Sequence, residues 1–233
     1  MSRMLRNTIW LILFLCSLAT SAQEETEYTM EIGGGAGLDF CMNDTHGGVF
    51  AQPRAAMNGV LRFVLNQRNA VKIALDYGML SGNTTKQTDF QPSTSGTATT
   101  TPLQYEFSGS LIGLTALYEL HFLPYGFTSG YQGLKRFVPY IQIGLGGVYG
   151  TRGKSFGLTV PVGFGIKYKL KERLNLGAEW RMHFTTTDKL DGLADPHGIK
   201  SFEFKNKDHY SMALFTITYS FAEKCKTCNK DDW

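Results

Sequence analysis

The chain has 233 residues, with 23 Lys or Arg against 20 Asp or Glu, so its formal net charge is only +3. A charge this small, with no basic run, argues against a nucleic-acid-binding protein. The 26 glycines and 13% aromatic residues, beside only 18% charged residues, argue against a disordered chain and favour one rich in extended segments.

The amino-terminal residues 1–22 have the pattern of an export signal. Arg3 and Arg6 precede an apolar run over 9–18, and small residues stand directly before Gln23. Such a peptide is removed on export. We therefore expect the mature chain to begin at Gln23 and to lie outside the cytoplasm.

Beyond the signal, the hydrophobic pattern has a period of two. Alternation occurs in eight segments, at 28–40, 54–65, 71–79, 112–122, 139–149, 158–170, 174–184 and 213–221. In each segment one parity is apolar and carries no Asp, Glu, Lys or Arg. Because a Lys or Arg at the bilayer midplane of a β-barrel costs about 2–4 kcal/mol, this exclusion predicts that the apolar parity faces lipid.

The sequence therefore predicts an all-β fold, an eight-stranded antiparallel up-and-down transmembrane β-barrel over 23–221 with a short tail at 222–233. Long connections alternate with short turns, the long ones at 42–53, 81–102 and 187–208 and the short ones at 66–69 and 171–173. Bacterial barrels keep their short turns in the periplasm. We expect an outer-membrane protein, with lipid around its exterior and with its amino terminus, short turns and tail periplasmic.

The inward parity carries the charged side chains. Eight strands enclose a lumen that side chains can fill, which argues against a diffusion pore. Buried charges persist when they are paired, so we expect a lumenal ion-pair network of Glu31, Asp39, Arg54, Arg62, Lys72, Asp76, Glu119, Lys167, Lys169, Glu179 and Arg181. A proton- or ion-conducting role is the alternative for these residues.

Residues with catalytic or metal-binding chemistry are few. The five histidines are scattered, and Cys225 and Cys228 form a CxxC pair without the second pair that a zinc site needs. We predict no cofactor, no metal and no small-molecule substrate. With Cys41 the exported chain holds an odd number of cysteines, which argues against a disulfide framework; the CxxC is interpreted as a tail disulfide or two free thiols rather than a redox centre.

One pair of residues supports an enzymatic alternative. His209 and Ser211 lie two residues apart on the lipid-facing parity, and an imidazole beside a hydroxyl can activate it to attack an ester. The pair resembles the His-x-Ser site of outer-membrane lipid A deacylases, although Met212 stands where that site has an asparagine. Glu179 and His183 could likewise act as an acid and a base, but pairing within the lumen is the simpler interpretation.

The chain also resembles a family of small barrels. The supporting stretches are 31–37, 139–141 with Gly144 and Gly146, 161–168, and above all 175–180 followed by 187–192. They resemble PorG-like outer-membrane barrels associated with the bacterial type IX secretion system. The resemblance implies a non-enzymatic role in which the barrel anchors periplasmic secretion-ring subunits. The Cys225 and Cys228 tail has no counterpart in that pattern.

A periplasmic partner would need accessible surface on the short-turn side. Only the connection 123–136 and the tail 222–233 offer sizeable surface there, and both carry basic residues. We therefore predict a polar partner patch of Lys135, Arg136, Lys224 and Lys226. The alternative is a cell-surface binding or adhesion barrel that acts through loops 81–102 and 187–208.

Overall fold

The structure is a computed structural model that describes residues 28–42, 50, 53–83, 106–127, 133–187, 190 and 208–223. The predicted signal peptide lies outside these residues. So do most of the three long loops and the chain after Glu223.

Eight strands form one closed barrel, in which each strand pairs antiparallel with its neighbours in the chain and the first closes on the last. The strands are β1 (Tyr28–Met42), β2 (Arg54–Val64), β3 (Asn69–Asn83), β4 (Glu106–His121), β5 (Phe137–Gly150), β6 (Ser155–Lys169), β7 (Leu174–Thr185) and β8 (His209–Glu223). The predicted eight-stranded antiparallel barrel is confirmed. β8 includes two residues that the sequence analysis assigned to the tail.

The two ends of the barrel differ in their connections. We call one the turn end, where β2 joins β3 through 65–68, β4 joins β5 through 122–136, and β6 joins β7 through 170–173. The other, the loop end, carries the remaining connections. The turn end also holds the start of β1, because Tyr28 pairs with Glu223.

Exterior and interior follow the predicted parity. Within the described strands, the exposed charged side chains are those of Arg54, Glu106 and Glu223, all at strand ends. The outward apolar side chains are open, with Phe215 74% and Leu145 69% exposed. An apolar outside around a charged inside is the reverse of a soluble protein and is what a bilayer requires. The described residues contain no helix long and apolar enough to cross a membrane.

A cluster of buried apolar residues lies in the interior near the loop end, which the sequence analysis did not predict. The cluster consists of Cys41, Ala56, Leu80, Leu111, Val148, Leu190, Tyr210, Met212 and Leu214. Lipid excludes charged residues only from outward-facing positions. The sequence pattern therefore did not indicate which inward-facing positions form an apolar cluster. Leu190, from the connection after β7, is 2% exposed. It belongs to this cluster, and polar residues such as Asp39 and Thr185 are buried near the same end, so apolar and polar side chains together fill the loop end of the interior.

The position of Cys41 predicts its reactivity. Cys41 is buried near the loop end of β1. We expect Cys41 to resist a maleimide reagent in the folded barrel and to gain one label after denaturation, measured by mass spectrometry. Equal labelling of Cys41 in the folded protein would contradict its placement.

Candidate functional site

Eight charged side chains form an unbroken chain of ion pairs through the interior, which we call the ladder. In order from the turn end it consists of Lys167, Glu31, Arg62, Glu119, Lys72, Glu179, Arg181 and Asp76. Consecutive members lie 2.5–3.2 Å apart, nitrogen to oxygen. The sign of the charge alternates at every step, so four bases and four acids cancel.

The ladder is built partly by strand register and partly by contacts across the lumen. Glu31 and Arg62 are direct partners of the β1–β2 pairing. Lys72 on β3 instead reaches Glu179 on β7, on the far side of the barrel, at 2.6 Å. In an eight-stranded barrel the interior is narrow enough for long side chains from opposite walls to meet.

Neutral polar groups add hydrogen bonds to the ladder. Gln142 accepts from the Lys72 ammonium at 2.7 Å, and the Tyr140 hydroxyl donates to Glu179 at 2.7 Å. Thr218 donates to Glu31 at 3.3 Å. Sequence reasoning missed these groups because an uncharged inward residue carries no signal in a charge pattern. They satisfy oxygens and protons that a buried ion pair would otherwise leave without a partner.

The burial of the ladder side chains is relevant to the alternative that the ladder conducts protons or ions. Every ladder side chain is 3% exposed or less. A path wide enough for water would expose the side chains that line it, so the ladder fills its part of the lumen. Each inner base is also held by two acids, as Arg62 is by Glu31 and Glu119. This arrangement fits a structural network better than the conducting alternative.

Three predicted members of the network do not belong to the ladder. Arg54 is exposed at the loop end, and its Nε donates to Ser81 at 2.6 Å. Asp39 is buried but makes no ion pair with a described residue; its carboxylate takes the space beside Gly78 where a Cβ would lie. Lys169 lies over the rings of Tyr28 and Tyr125, 5.9 and 5.3 Å from their centroids. Arg54 and Asp39 lie beyond the end of the ladder that is nearer the loop end, and Lys169 lies beyond its turn-end terminus.

The turn end of the lumen is covered by the connection between β4 and β5. We call its described residues, 122–127 and 133–136, the cap. The backbone N–H of Tyr125 donates to the Gln67 carbonyl at 2.9 Å, and its hydroxyl donates to Asn175 at 2.9 Å. Its ring centroid lies 4.3 Å from the Lys167 ammonium. Burial, reinforced by nearby Glu31, raises the pKa of the Tyr125 phenol, so it remains a neutral donor.

Arg136 fastens the cap to the turn after β6. Its guanidinium donates to the carbonyls of Lys169 at 3.0 Å and Leu170 at 2.8 Å. It also lies 4.8 Å from the ring centroid of Phe127 and 5.4 Å from that of Tyr168. Arg136 is therefore engaged within the barrel, while the predicted partner patch as a whole stays a prediction. Lys135 is exposed, and Lys224 and Lys226 lie outside the described residues.

Other bases, which sequence reasoning missed, surround the cap. Arg68 and Lys171 are exposed on the two short turns. Together with Lys135 they form a set that we call the basic rim, with one member on each of the three connections of the turn end; Arg173, also exposed on the third connection, is left out because it pairs with Glu223. Each appears in the sequence as an ordinary turn residue, so only the shared end of the barrel identifies them as a group.

The residues of the first enzymatic alternative are Ser211 and His209, and they differ in exposure: Ser211 is buried and His209 is half-buried. Ser211 is fully buried, opposite Phe40 on β1 and Met182 on β7. His209 accepts a hydrogen bond at Nδ1 from the Thr185 backbone at 3.3 Å.

The acid and base on β7 are equally enclosed. Glu179 is engaged in the ladder, and His183 stacks on Tyr210 with ring centroids 4.3 Å apart. Among the described residues, no three His, Cys, Asp or Glu side chains are grouped as a metal ion would require.

A closed ring of eight antiparallel strands, an apolar exterior and a charge-balanced interior define a small β-barrel of the outer-membrane type. The chain belongs to the family described as "Domain of unknown function (DUF6089)", whose sequence profile matches residues 6–230. A search among curated proteins found no match.

Solved structures with a similar fold include three bacterial barrels. Neisserial surface protein A is 11% identical, covering 82% of this chain and 97% of its own, with a TM-score of 0.46. Ail of Yersinia pestis, in complex with the heparin analogue sucrose octasulfate, is 12% identical over 84% and 100%, with a TM-score of 0.47. OprG from Pseudomonas aeruginosa is 11% identical over 87% and 100%, with a TM-score of 0.45. Similarity at this level carries no conclusion about function.

Proposed function

We propose that this protein is a non-enzymatic outer-membrane barrel that anchors an acidic periplasmic partner at its turn end, as an accessory component of a secretion assembly. The basic rim on the capped turn end is the observation that carries this proposal. The ladder is buried and carries no net charge, so none of its eight side chains is accessible, which supports a role for the outer surfaces of the protein.

The charge of the turn end favours an acidic partner. Among the described residues, the exposed acids near the rim are Glu172 and Glu223, and each has a partner: Glu223 pairs with Arg173, and Glu172 accepts from the Tyr28 hydroxyl at 3.1 Å. Arg68, Lys135 and Lys171 stay exposed. The cap is held by Arg136 and Tyr125, which gives the rim a fixed geometry. Complementary charge on such a surface speeds association and selects partners.

The resemblance to PorG-like barrels supports a periplasmic secretion-ring subunit as the partner. Periplasmic ring subunits of a type IX secretion system would contact the membrane anchor from the periplasmic side. That side is the turn end if short turns face the periplasm. The amino terminus of the mature chain and the tail after β8 would share it.

Reversal of the basic rim tests the proposal. The triple variant Arg68→Glu, Lys135→Glu, Lys171→Glu should recover about tenfold less periplasmic partner after crosslinking in intact cells and affinity purification, because three complementary charges become repulsive. A second variant, Lys224→Glu with Lys226→Glu, examines the tail. The matched control reverses Arg152 and Lys154, which are exposed at the loop end. Undiminished recovery of the partner with the triple variant would refute the proposed role of the basic rim in binding.

Cell-surface binding through the loops is the alternative function. Most of 81–102 and 187–208 lies outside the described residues, so this alternative stays a prediction. Shortening each loop within 86–100 and 192–204 distinguishes the two functions. An anchor keeps its periplasmic partner after both deletions, whereas an adhesion barrel loses binding to its extracellular target.

A further inference from the structure

Asp39 is a buried acid that has no base beside it among the described residues. It is 1% exposed, and neither oxygen of its carboxylate accepts a hydrogen bond from a described side chain. Arg54, its register partner on β2, is exposed and donates to Ser81 instead. The ladder is neutral in itself and offers no spare positive charge. Because buried charges are normally paired or bound to a metal ion, an ionised Asp39 needs a counter-charge from outside the described chain.

The Asp39 carboxylate reaches across to the inner face of β3, where the ladder ends. It lies beside Gly78, two residues along the same face from Asp76. Asp76 is held by both terminal nitrogens of Arg181, at 2.6 and 3.0 Å. Two neighbouring carboxylates therefore share one base, which leaves one negative charge without a partner.

Two uncharged side chains bring further oxygen atoms to the same part of the interior. Asn58 is the register partner of Asp76 on β2, and both atoms of its amide lack a hydrogen-bond partner among the described residues. Tyr210 is fully buried on β8, and its hydroxyl also lacks such a partner. That hydroxyl lies 3.6 Å from where a Cβ of Gly113 would stand, and Gly113 is the register partner of Asp76 on β4. Unpartnered oxygens thus flank Asp76 on both neighbouring strands.

We propose that this part of the interior, which we call the Asp39 site, binds one monovalent metal cation of the sodium class through oxygens of Asp39, Asn58 and Tyr210. Hard cations prefer oxygen ligands. One positive charge balances the single carboxylate that has no base, whereas a divalent ion would leave the dry interior with a net positive charge. The sequence analysis predicted no metal, because two of the three ligands are neutral groups that a charge pattern does not mark.

The sodium dependence of stability tests the proposal. The mature barrel, refolded in detergent micelles at neutral pH, is unfolded with urea at a series of sodium chloride concentrations, while choline chloride keeps the ionic strength constant. The ligands come together only in the folded barrel. The ratio of folded to unfolded protein should therefore rise about tenfold for each tenfold increase in sodium above the Kd. A crystal soaked with thallium(I) should show one anomalous peak in contact with Asp39.

Three variants distinguish the Asp39 site from a general effect of salt. Asp39→Asn removes the charge and should abolish the sodium dependence. Tyr210→Phe keeps the ring that stacks on His183 and should raise the sodium concentration required about tenfold, because one ligand oxygen is lost. Glu106→Gln changes an exposed carboxylate on β4 and should behave like the parent protein.

Two results would overturn the proposal. One is equal stability of the parent protein in sodium and in choline, which would assign a proton rather than a metal ion to Asp39. The other is a sodium dependence that Asp39→Asn and Tyr210→Phe leave unchanged. If Asp39→Asn fails to fold, Tyr210→Phe decides alone.

Discussion

Replacement of Glu119 by alanine is expected to destabilise the folded barrel by about 3–5 kcal/mol, because it leaves buried bases without their partner. Glu119 accepts two hydrogen bonds from Arg62, at 2.7 and 3.1 Å, and pairs with Lys72 at 3.0 Å. Its removal gives the ladder a net positive charge where water cannot reach. Urea unfolding in detergent micelles, followed by gel mobility of unheated samples, measures the loss.

Two companion variants separate charge balance from simple truncation. Glu106→Ala removes an exposed carboxylate from the same strand and should change stability by less than about 0.5 kcal/mol. Glu119→Gln combined with Lys72→Met removes one acid and one base, which restores neutrality and should recover more than half of the loss. A Glu119→Ala barrel as stable as the Glu106→Ala barrel would show that the ladder is not needed to hold the fold.

Gly37→Ala is expected to prevent the barrel from closing normally. A Cβ at Gly37 would overlap the carbonyl oxygen of Ala213 and press on the backbone of Leu214 on β8. The obstructing atoms belong to the backbone, so no side-chain rotation relieves the clash. A loss of about 1–3 kcal/mol or more follows from such overpacking, measured as the folded fraction in refolding assays and as protection from protease.

The control for this position is another glycine in a neighbouring strand. Gly59 on β2 faces outward, and a Cβ there meets no atom within 4 Å. Gly59→Ala should therefore refold like the parent protein. If Gly37→Ala refolds equally well, the register of the β1–β8 pairing, in which Gly37 lies opposite Leu214, is wrong.

Much of the fold could be predicted from the sequence because hydrocarbon imposes a local rule. An ionised side chain at an outward position is costly whatever the rest of the chain does. Alternate positions in each strand therefore record which face meets lipid, as in Leu174, Leu176 and Ala178 on β7. The same rule gave the number of strands and the turns between them, since the alternation stops where the chain leaves the bilayer.

The interior obeys no such local rule. The sequence placed Lys72 and Glu179 in the lumen, but the two residues are 107 positions apart and meet only across the closed barrel. Whether an inward charge joins the ladder depends on the height at which strand register and tilt place it. Asp39 and Lys169 lie inside as predicted, yet beyond opposite ends of the ladder.

Which basic residues are free at the surface could likewise be decided only from the folded structure. Arg136 looks like a free base in the sequence, but tertiary structure turns it to the carbonyls of Lys169 and Leu170. Arg68 and Lys171 look like isolated turn residues, but barrel closure brings them to one rim. The sequence by itself determined which face of each strand meets lipid, because that choice is made residue by residue. Tertiary structure decided every pairing between distant strands, because those pairings exist only once the ring has closed.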